Sequence, residues 1–263
     1  MATPVNYDDV AQGFERRYAA FDYSGFTHAL LDFVARSTGD ASPLVLDAGC
    51  GTGHWLRTLR DQTPSRIVGV DRSGGMLAVA RAAAATDPLA QADAAALPFL
   101  PHTFDAVFCL NAVHHFADPS AFVREAGRVV TPGGGLMVAG LDPQAGVDRW
   151  WLYDTFPGAH DADLRRYPAM ARVRDWMSEA GFEDIGTSVV QTWRGRVSIP
   201  DAFARGLLDR TGTSQLMVLS DTEYEAGVDQ LKAAAERGSS VRLETDLRLF
   251  ATVGWKAPTS RRP

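Results

Sequence analysis

Lysine is almost missing from this chain: of its 26 basic residues only Lys232 and Lys256 are lysines, both late in 263 residues. A P-loop needs a lysine directly after its glycines, and a Tyr-x-x-x-Lys dehydrogenase pair needs one beside a tyrosine, so both are excluded. Cysteine is scarce too. Cys50 and Cys109 are too few for a disulfide scaffold or a cysteine-rich metal site, and free thiols in a cytoplasmic protein are expected. No run approaches the ~20 apolar residues of a membrane span, and Met1 to Gln12 hold no apolar signal core, so no membrane association is expected. His-x-x-x-His, HExxH and paired-cysteine spacings are absent, and no metal is expected. A net charge of −6 and a pI near 5.5 argue against a nucleic-acid surface, which needs clustered cations.

What is present is core material, 46% hydrophobic residues, enough for one large domain or a domain with a cap. The chain is organised around Val45-Leu46-Asp47-Ala48-Gly49-Cys50-Gly51-Thr52-Gly53. Leu44 to Leu46 read as a strand buried on both faces. Gly49, Gly51 and Gly53 allow a sharp turn and close approach of a ligand. His54-Trp55-Leu56 then open a helix whose unpaired N–H groups suit an anion. Ile67 to Asp71 form a second strand ending in an acid 20 residues after Gly51, the distance at which a carboxylate in this architecture meets ribose hydroxyls.

Phe104 to Asn111 read as a fourth strand. Asp118-Pro119 starts a helix over Phe122, Val123, Ala126, Val129 and Val130. Thr131 to Gly135 stop it, and Leu136 to Leu141 form a fifth strand. This alternation implies a doubly wound parallel sheet with right-handed crossovers. Tyr7, Val10, Phe14, Tyr18 and Phe21 mark one face of an N-terminal helix. Ile185 to Trp193 and Thr245 to Trp255 read as the last two strands, and Ser220 to Glu223 is a capping box.

The G-x-G-x-G loop preceded by Asp47, together with Asp71 and the Asp93-Ala94-Ala95-Ala96-Leu97-Pro98-Phe99 segment, resembles the class I S-adenosylmethionine-dependent methyltransferases, in their small-molecule form. The resemblance implies an α/β, Rossmann-like, mostly parallel seven-stranded sheet with helices on both faces and a helical cap or lid. It implies S-adenosylmethionine as cofactor, S-adenosylhomocysteine as product, and transfer to O, N or C of a small-molecule acceptor by a protein that is a monomer or dimer. The glycines, Asp47, Arg72 and Asn111 would hold the cofactor, Asp71 its ribose, and Met76, Asp93 and Ala94 its adenine. Tyr7, Phe14 and Tyr18 would cover the sulfonium, which aromatic faces attract. His114 and His115 follow the fourth strand where relatives place a catalytic histidine, with His114 preferred as base and Asp142 orienting it. Gly74-Gly75 stands where relatives more often carry Pro-Glu.

The organisation expected is 1–36 as N-terminal helices, 37–142 as cofactor core, 143–168 as a cap, and 169–195 as a core helix and strand. Residues 196–242 would be a helical lid, 243–256 the last strand and 257–263 a tail. Two other classes share the outline. A nicotinamide-dependent oxidoreductase would carry its third glycine one residue later, and a protein that binds S-adenosylmethionine without methylating is not distinguished by fold.

Overall fold

Branched, apolar β1 (Leu44–Ala48) is the middle of the sheet's five parallel strands, with Val45, Leu46 and Ala48 fully buried. The computed structural model describes residues 7–37, 42–84 and 88–258. Parallel strands lie on both sides of β1. They run β3 (Leu89–Gln91), β2 (Arg66–Asp71), β1, β4 (Phe104–Leu110) and β5 (Val130–Leu141). The chain reverses its winding between β1 and β4, the switch point where open α/β sheets bind ligands at their carboxyl ends.

β8 (Arg242–Trp255) joins β5 antiparallel, and β7 (Glu183–Ser198) pairs with β8 along its whole length. These are the seven strands expected. A two-residue β6 (Arg149–Trp150) pairs with Asp246 and Thr245 of β8, continuing the edge that β5 leaves at Leu249 and making the sheet eight-stranded.

Alternation along the strands sends Val45, Phe108 and Met137 to one face and Leu46, Val107 and Val138 to the other. The first face is covered by α3 (Ser24–Arg36) and α4 (His54–Gln62), through Phe26, Leu30, Trp55 and Leu59. The second is covered by α6 (Pro119–Val129) and α9 (Met170–Glu179), through Phe122, Val123, Val173 and Met177. Each fully buried large side chain in these layers contributes about 1.5–3 kcal/mol of transfer free energy.

A third apolar cluster is built from the segments between and after the core strands. α7 (Trp151–Thr155), α8 (Pro157–Arg166) and the residue between them supply Trp151, Leu152, Ala159 and Phe156. α10 (Ile199–Ala204), α11 (Ser214–Met217) and α12 (Asp221–Glu236) supply Ile199, Leu216 and Leu231. The capping box at Ser220 and Glu223 is present at the start of α12.

Three local readings differ from the sequence expectation. The N-terminal face is not one helix: α1 (Tyr7–Val10), a 3-10 turn over Ala11–Gly13 and α2 (Arg16–Ala20) follow one another, broken where Gly13 disfavours helix. The last two strands outrun their apolar cores because each supplies the other's hydrogen bonds from Glu183 to Ser198. The glycine-rich stop after α6 lies within β5, as an irregularity between the Phe104–Val130 and Ala106–Gly135 pairs, with Gly133 at φ 81°.

Among the described residues no helix is long and apolar enough to cross a membrane, and no metal-binding group of His, Cys, Asp and Glu occurs. Cys50 and Cys109 are buried free thiols. The expectations for 1–6 and 259–263 fall outside the described residues.

Candidate active site

The loop after β1 is left-handed at all three glycines, with φ of 81°, 53° and 78° at Gly49, Gly51 and Gly53. L side chains avoid that region. The amides of Gly49 and Cys50 both donate to the Val70 carbonyl, at 2.8 and 3.0 Å, which pins the loop to β2. A Cβ on Gly49 would meet the Ala112 Cβ at 2.5 Å, whereas Gly51 faces open space.

Asp71 ends β2 and ties the loop from the other side. Its Oδ2 accepts from the Gly51 amide at 2.8 Å and its Oδ1 from the Ser73 amide at 2.8 Å. Burial raises its carboxyl, and these backbone donors counter the rise. Ser73 caps α5 (Gly74–Ala83) by accepting from the Met76 amide. Asp8 of α1 also sits on that helix start, accepting from the Ser73 hydroxyl at 2.6 Å and the Gly75 amide at 2.8 Å. A Cβ on Gly75 would lie 2.9 Å from Asp8. Gly74-Gly75 thus leaves room for an acid from another segment, at a helix terminus that favours one.

Between these elements lies a cavity of about 340 Å³. Gly49, Gly51, Asp71, Arg72 and Met76 line it, with Asp93, Ala94 and Asn111 from the next strand ends. Tyr7, Phe14 and Tyr18 close it from the N-terminal segment. Asp93 also caps a local turn, accepting from the Ala95 amide at 2.9 Å. Two residues expected at the cofactor are not on this wall. Gly53 is spent as the left-handed N-cap of α4. Asp47, in β1, is 1% exposed, and its Oδ2 has no hydrogen-bond partner among the described residues. Burial and the nearby Asp71 push the Asp47 carboxyl well above the usual range.

Sequence reasoning missed Arg17, Trp55 and Phe116, which also line the cavity. Nothing in their spacing marks them, although Arg17 directly precedes Tyr18. The N-terminal segment is latched at several points. Tyr18 stacks on His54 at 3.6 Å, and Glu15 holds the Thr52 hydroxyl and, at 2.8 Å, Arg57. Burial lowers the His54 pKa to about 4.

His114 and His115 lie in a 3-10 turn after β4, behind Asn111 at φ 51°. His115 Nε2 is 2.6 Å from the Tyr7 hydroxyl. His114 is 7% exposed and stacks on Tyr167 at 3.8 Å. Both imidazoles are held well below their ordinary pKa, by burial first and then by Arg166 and Arg17 around His115 and by His115 itself beside His114. The expected partnership of Asp142 with an imidazole is not formed. Asp142 Oδ1 accepts from the Gln144 amide at 3.1 Å and Oδ2 from the Met170 amide at 2.9 Å. Its position before Pro143 makes it the N-cap of the 143–145 turn, as Asp favours, and its second oxygen holds the first amide of α9.

His115 also lines a second cavity, of about 650 Å³. Phe14, Arg17, Asn111 and His115 stand in the walls of both. The second cavity is otherwise faced by Trp151, Tyr167, Trp193, Leu247 and Leu249, with His114 on this side alone. Tyr167 is fixed from the inserted segments: Gln215 donates to its hydroxyl at 3.2 Å and to buried Asp163 at 2.8 Å. Asp163 also takes the Tyr153 hydroxyl at 2.6 Å and Arg166 at 2.8 Å.

Residues 46–138 match the Methyltransf_11 family, a methyltransferase domain. A ubiquinone biosynthesis O-methyltransferase of Xylella fastidiosa is 26% identical over 74% of this chain and 90% of that protein. Phosphoethanolamine N-methyltransferase 2 of Haemonchus contortus, solved with S-adenosyl-L-methionine, superposes with a TM-score of 0.57. It is 19% identical, over 96% of this chain and 60% of that one. The [4+2]-cyclase SpnF has the same fold at a TM-score of 0.54 and 22% identity, over 88% of this chain and 81% of that one. The G-x-G-x-G spacing, the strand order and the matched family model agree, and they identify residues 46–138 as a methyltransferase domain of the class I, S-adenosylmethionine-dependent type.

Proposed function

We propose that the protein methylates an O, N or C atom of a small acceptor seated in the 650 Å³ cavity. The observation that carries this reading is the shared wall of Phe14, Arg17, Asn111 and His115 between the two cavities. The resemblance to a ubiquinone biosynthesis O-methyltransferase supports a small organic acceptor. A residue on that wall touches both reactants, as an in-line displacement requires.

The cofactor's ribose hydroxyls suit Asp71, whose oxygens keep lone pairs beyond those given to Gly51 and Ser73. Asp93 and the Ala94 amide suit the adenine edge. Gly51, facing open space, allows close approach of the amino-acid end, and Arg17 offers its carboxylate a guanidinium. S-adenosylmethionine supplies an activated methyl carbon whose bonding pair leaves with sulfur.

The chain's own part is to align, to exclude water and to take a proton where the nucleophile begins protonated. His115, rather than the His114 favoured on sequence, serves as that base, because it alone of the pair borders both cavities. In the tautomer whose Nε2–H donates to the Tyr7 oxygen, Nδ1 carries the lone pair that accepts a proton. The inserted segments act as the lid that encloses the acceptor.

Thr192→Trp, on an exposed strand position of the second cavity, tests the assignment. Transfer of a labelled methyl group should fall while S-adenosylhomocysteine binds normally. Wild-type transfer in this variant would place the acceptor elsewhere.

A further inference from the structure

The two cavities differ in charge. Asp8, Asp71 and Asp93 face the cofactor cavity against Arg17 and Arg72, a balance suited to a cationic cofactor. The second cavity has Arg16, Arg17, Arg194, Arg196 and Arg205 against Asp22 and Asp209, in a chain of net charge −6. Both of those acids are engaged locally. Asp22 accepts from the Ser24 amide and hydroxyl at 2.8 and 3.0 Å, and Asp209 from the Thr211 amide and hydroxyl at 2.9 and 2.8 Å.

Two of the arginines are also engaged, Arg194 with Asp246 at 3.0 Å and Arg196 with Glu244 at 2.8 Å. Arg16, Arg17 and Arg205 have no carboxylate partner among the described residues. Arg17 is shared with the cofactor cavity, while Arg16 and Arg205 belong to the second cavity alone and are exposed. They come from separate segments, α2 and the residue after α10. An acidic chain that gathers unpaired guanidinium groups around one apolar cavity draws anions there, since the local field and not the net charge governs a ligand entering it. A neutral acceptor would leave exposed Arg16 and Arg205 paired with water alone, whereas an anionic one adds charge pairing to them.

We infer that the acceptor is an amphipathic anion. Its apolar, ring-sized body lies against the tryptophans and leucines of the second cavity, and its carboxylate, sulfonate or phosphate is held at the mouth by Arg16 and Arg205. This rests on the second cavity being the acceptor site. Guanidinium suits all three anions through its planar fork of donors.

Two probes share one apolar body and differ by a sulfonate: 8-anilino-1-naphthalenesulfonate and neutral N-phenyl-1-naphthylamine. Each is titrated by fluorescence into protein saturated with S-adenosylhomocysteine. The wild type should bind the sulfonate about tenfold more tightly, the size of one charged hydrogen bond, with the preference shrinking as salt is added. The Arg16→Gln/Arg205→Gln double variant should lose the preference and keep its affinity for the neutral probe. Arg172→Gln on α9, outside both cavities, should keep both. The readout is binding, so an absence of methyl transfer would count against the proposed reaction and leave this result standing. Equal affinity for the two probes in the wild type, or a preference that survives in the double variant, overturns the inference.

Discussion

The Tyr7 hydroxyl lies 2.6 Å from Nε2 of His115, across 108 positions of sequence. This contact ties the N-terminal segment to the histidine that borders both cavities. It engages Nε2 and leaves Nδ1 as the nitrogen without a contact to Tyr7.

His115→Ala should therefore reduce turnover by about 10²–10⁴-fold, the usual contribution of a general base, with S-adenosylhomocysteine affinity near wild type by calorimetry. Tyr7→Phe keeps the ring and loses the hydroxyl. It should lower kcat by about tenfold, the equivalent of one hydrogen bond, and leave KM for the acceptor little changed. Near-normal turnover in both variants would mean transfer by alignment alone.

The pH profile follows from the direction of the histidine shifts. Burial lowers the His115 pKa below its ordinary 6.5, so the base-competent neutral form persists as the solution is acidified through that value. Turnover should stay level from neutral pH through 6.5 and fall only well below it. An acidic limb centred at or above 6.5 that disappears in His115→Ala would contradict the burial argument. Stability moves the same way. Below pH 6.5 the unfolded chain binds protons at His114 and His115 that the folded chain refuses, so urea midpoints should decline as pH falls from there.

Asp47 has the opposite sign. Its carboxyl is raised, so the folded chain holds a proton the unfolded chain releases between the ordinary carboxyl pKa and the raised one, and stability falls as pH rises across that window. Asp47→Asn removes the cost of a buried, unpartnered acid. The ligand-free variant should be more stable at neutral pH by about 1–3 kcal/mol. A lower melting temperature in Asp47→Asn would refute this account.

Asp71→Ala removes both the tie to the Gly51 amide and the acceptor proposed for the ribose. Calorimetry should show a loss of about 1–3 kcal/mol in cofactor binding, and unchanged affinity would sink the assignment.

Asp163→Ala leaves Arg166, Tyr153 and Gln215 without their shared acceptor in a fully buried position. Breaking one partner of a buried pair costs about 3–5 kcal/mol, measurable as a fall in the urea midpoint. Stability within 1 kcal/mol of wild type, roughly the value of a surface pair, would show the network to be dispensable.

The parts legible in sequence are those whose chemistry is local. The glycine loop, Asp71 and the Ser73 cap lie within a few residues of what they bind or shape, or one β-α-β unit away. Other features depend on distant chain segments. Asp142 reads as a partner for histidine until the amide of Met170, 28 residues on, is seen to occupy it. His115 is proposed over His114 because it alone borders both cavities, a placement set by distant segments, with Tyr7 beside one imidazole and Tyr167 stacked on the other. Arg17 carries no motif, and its place between cavities follows from the break at Gly13 and the latches of Asp8 and Glu15. The length of β7 follows from β8 as partner, since beyond Trp193 its own residues show little apolar pattern.

The most direct test of a methyl group passing from one cavity to the other is a crystal structure with S-adenosylhomocysteine. The account predicts the sulfur at the wall shared by Asn111 and His115, with the 650 Å³ cavity opening beyond it. A sulfur turned away from that wall, or a closed second cavity in the complex, would contradict it.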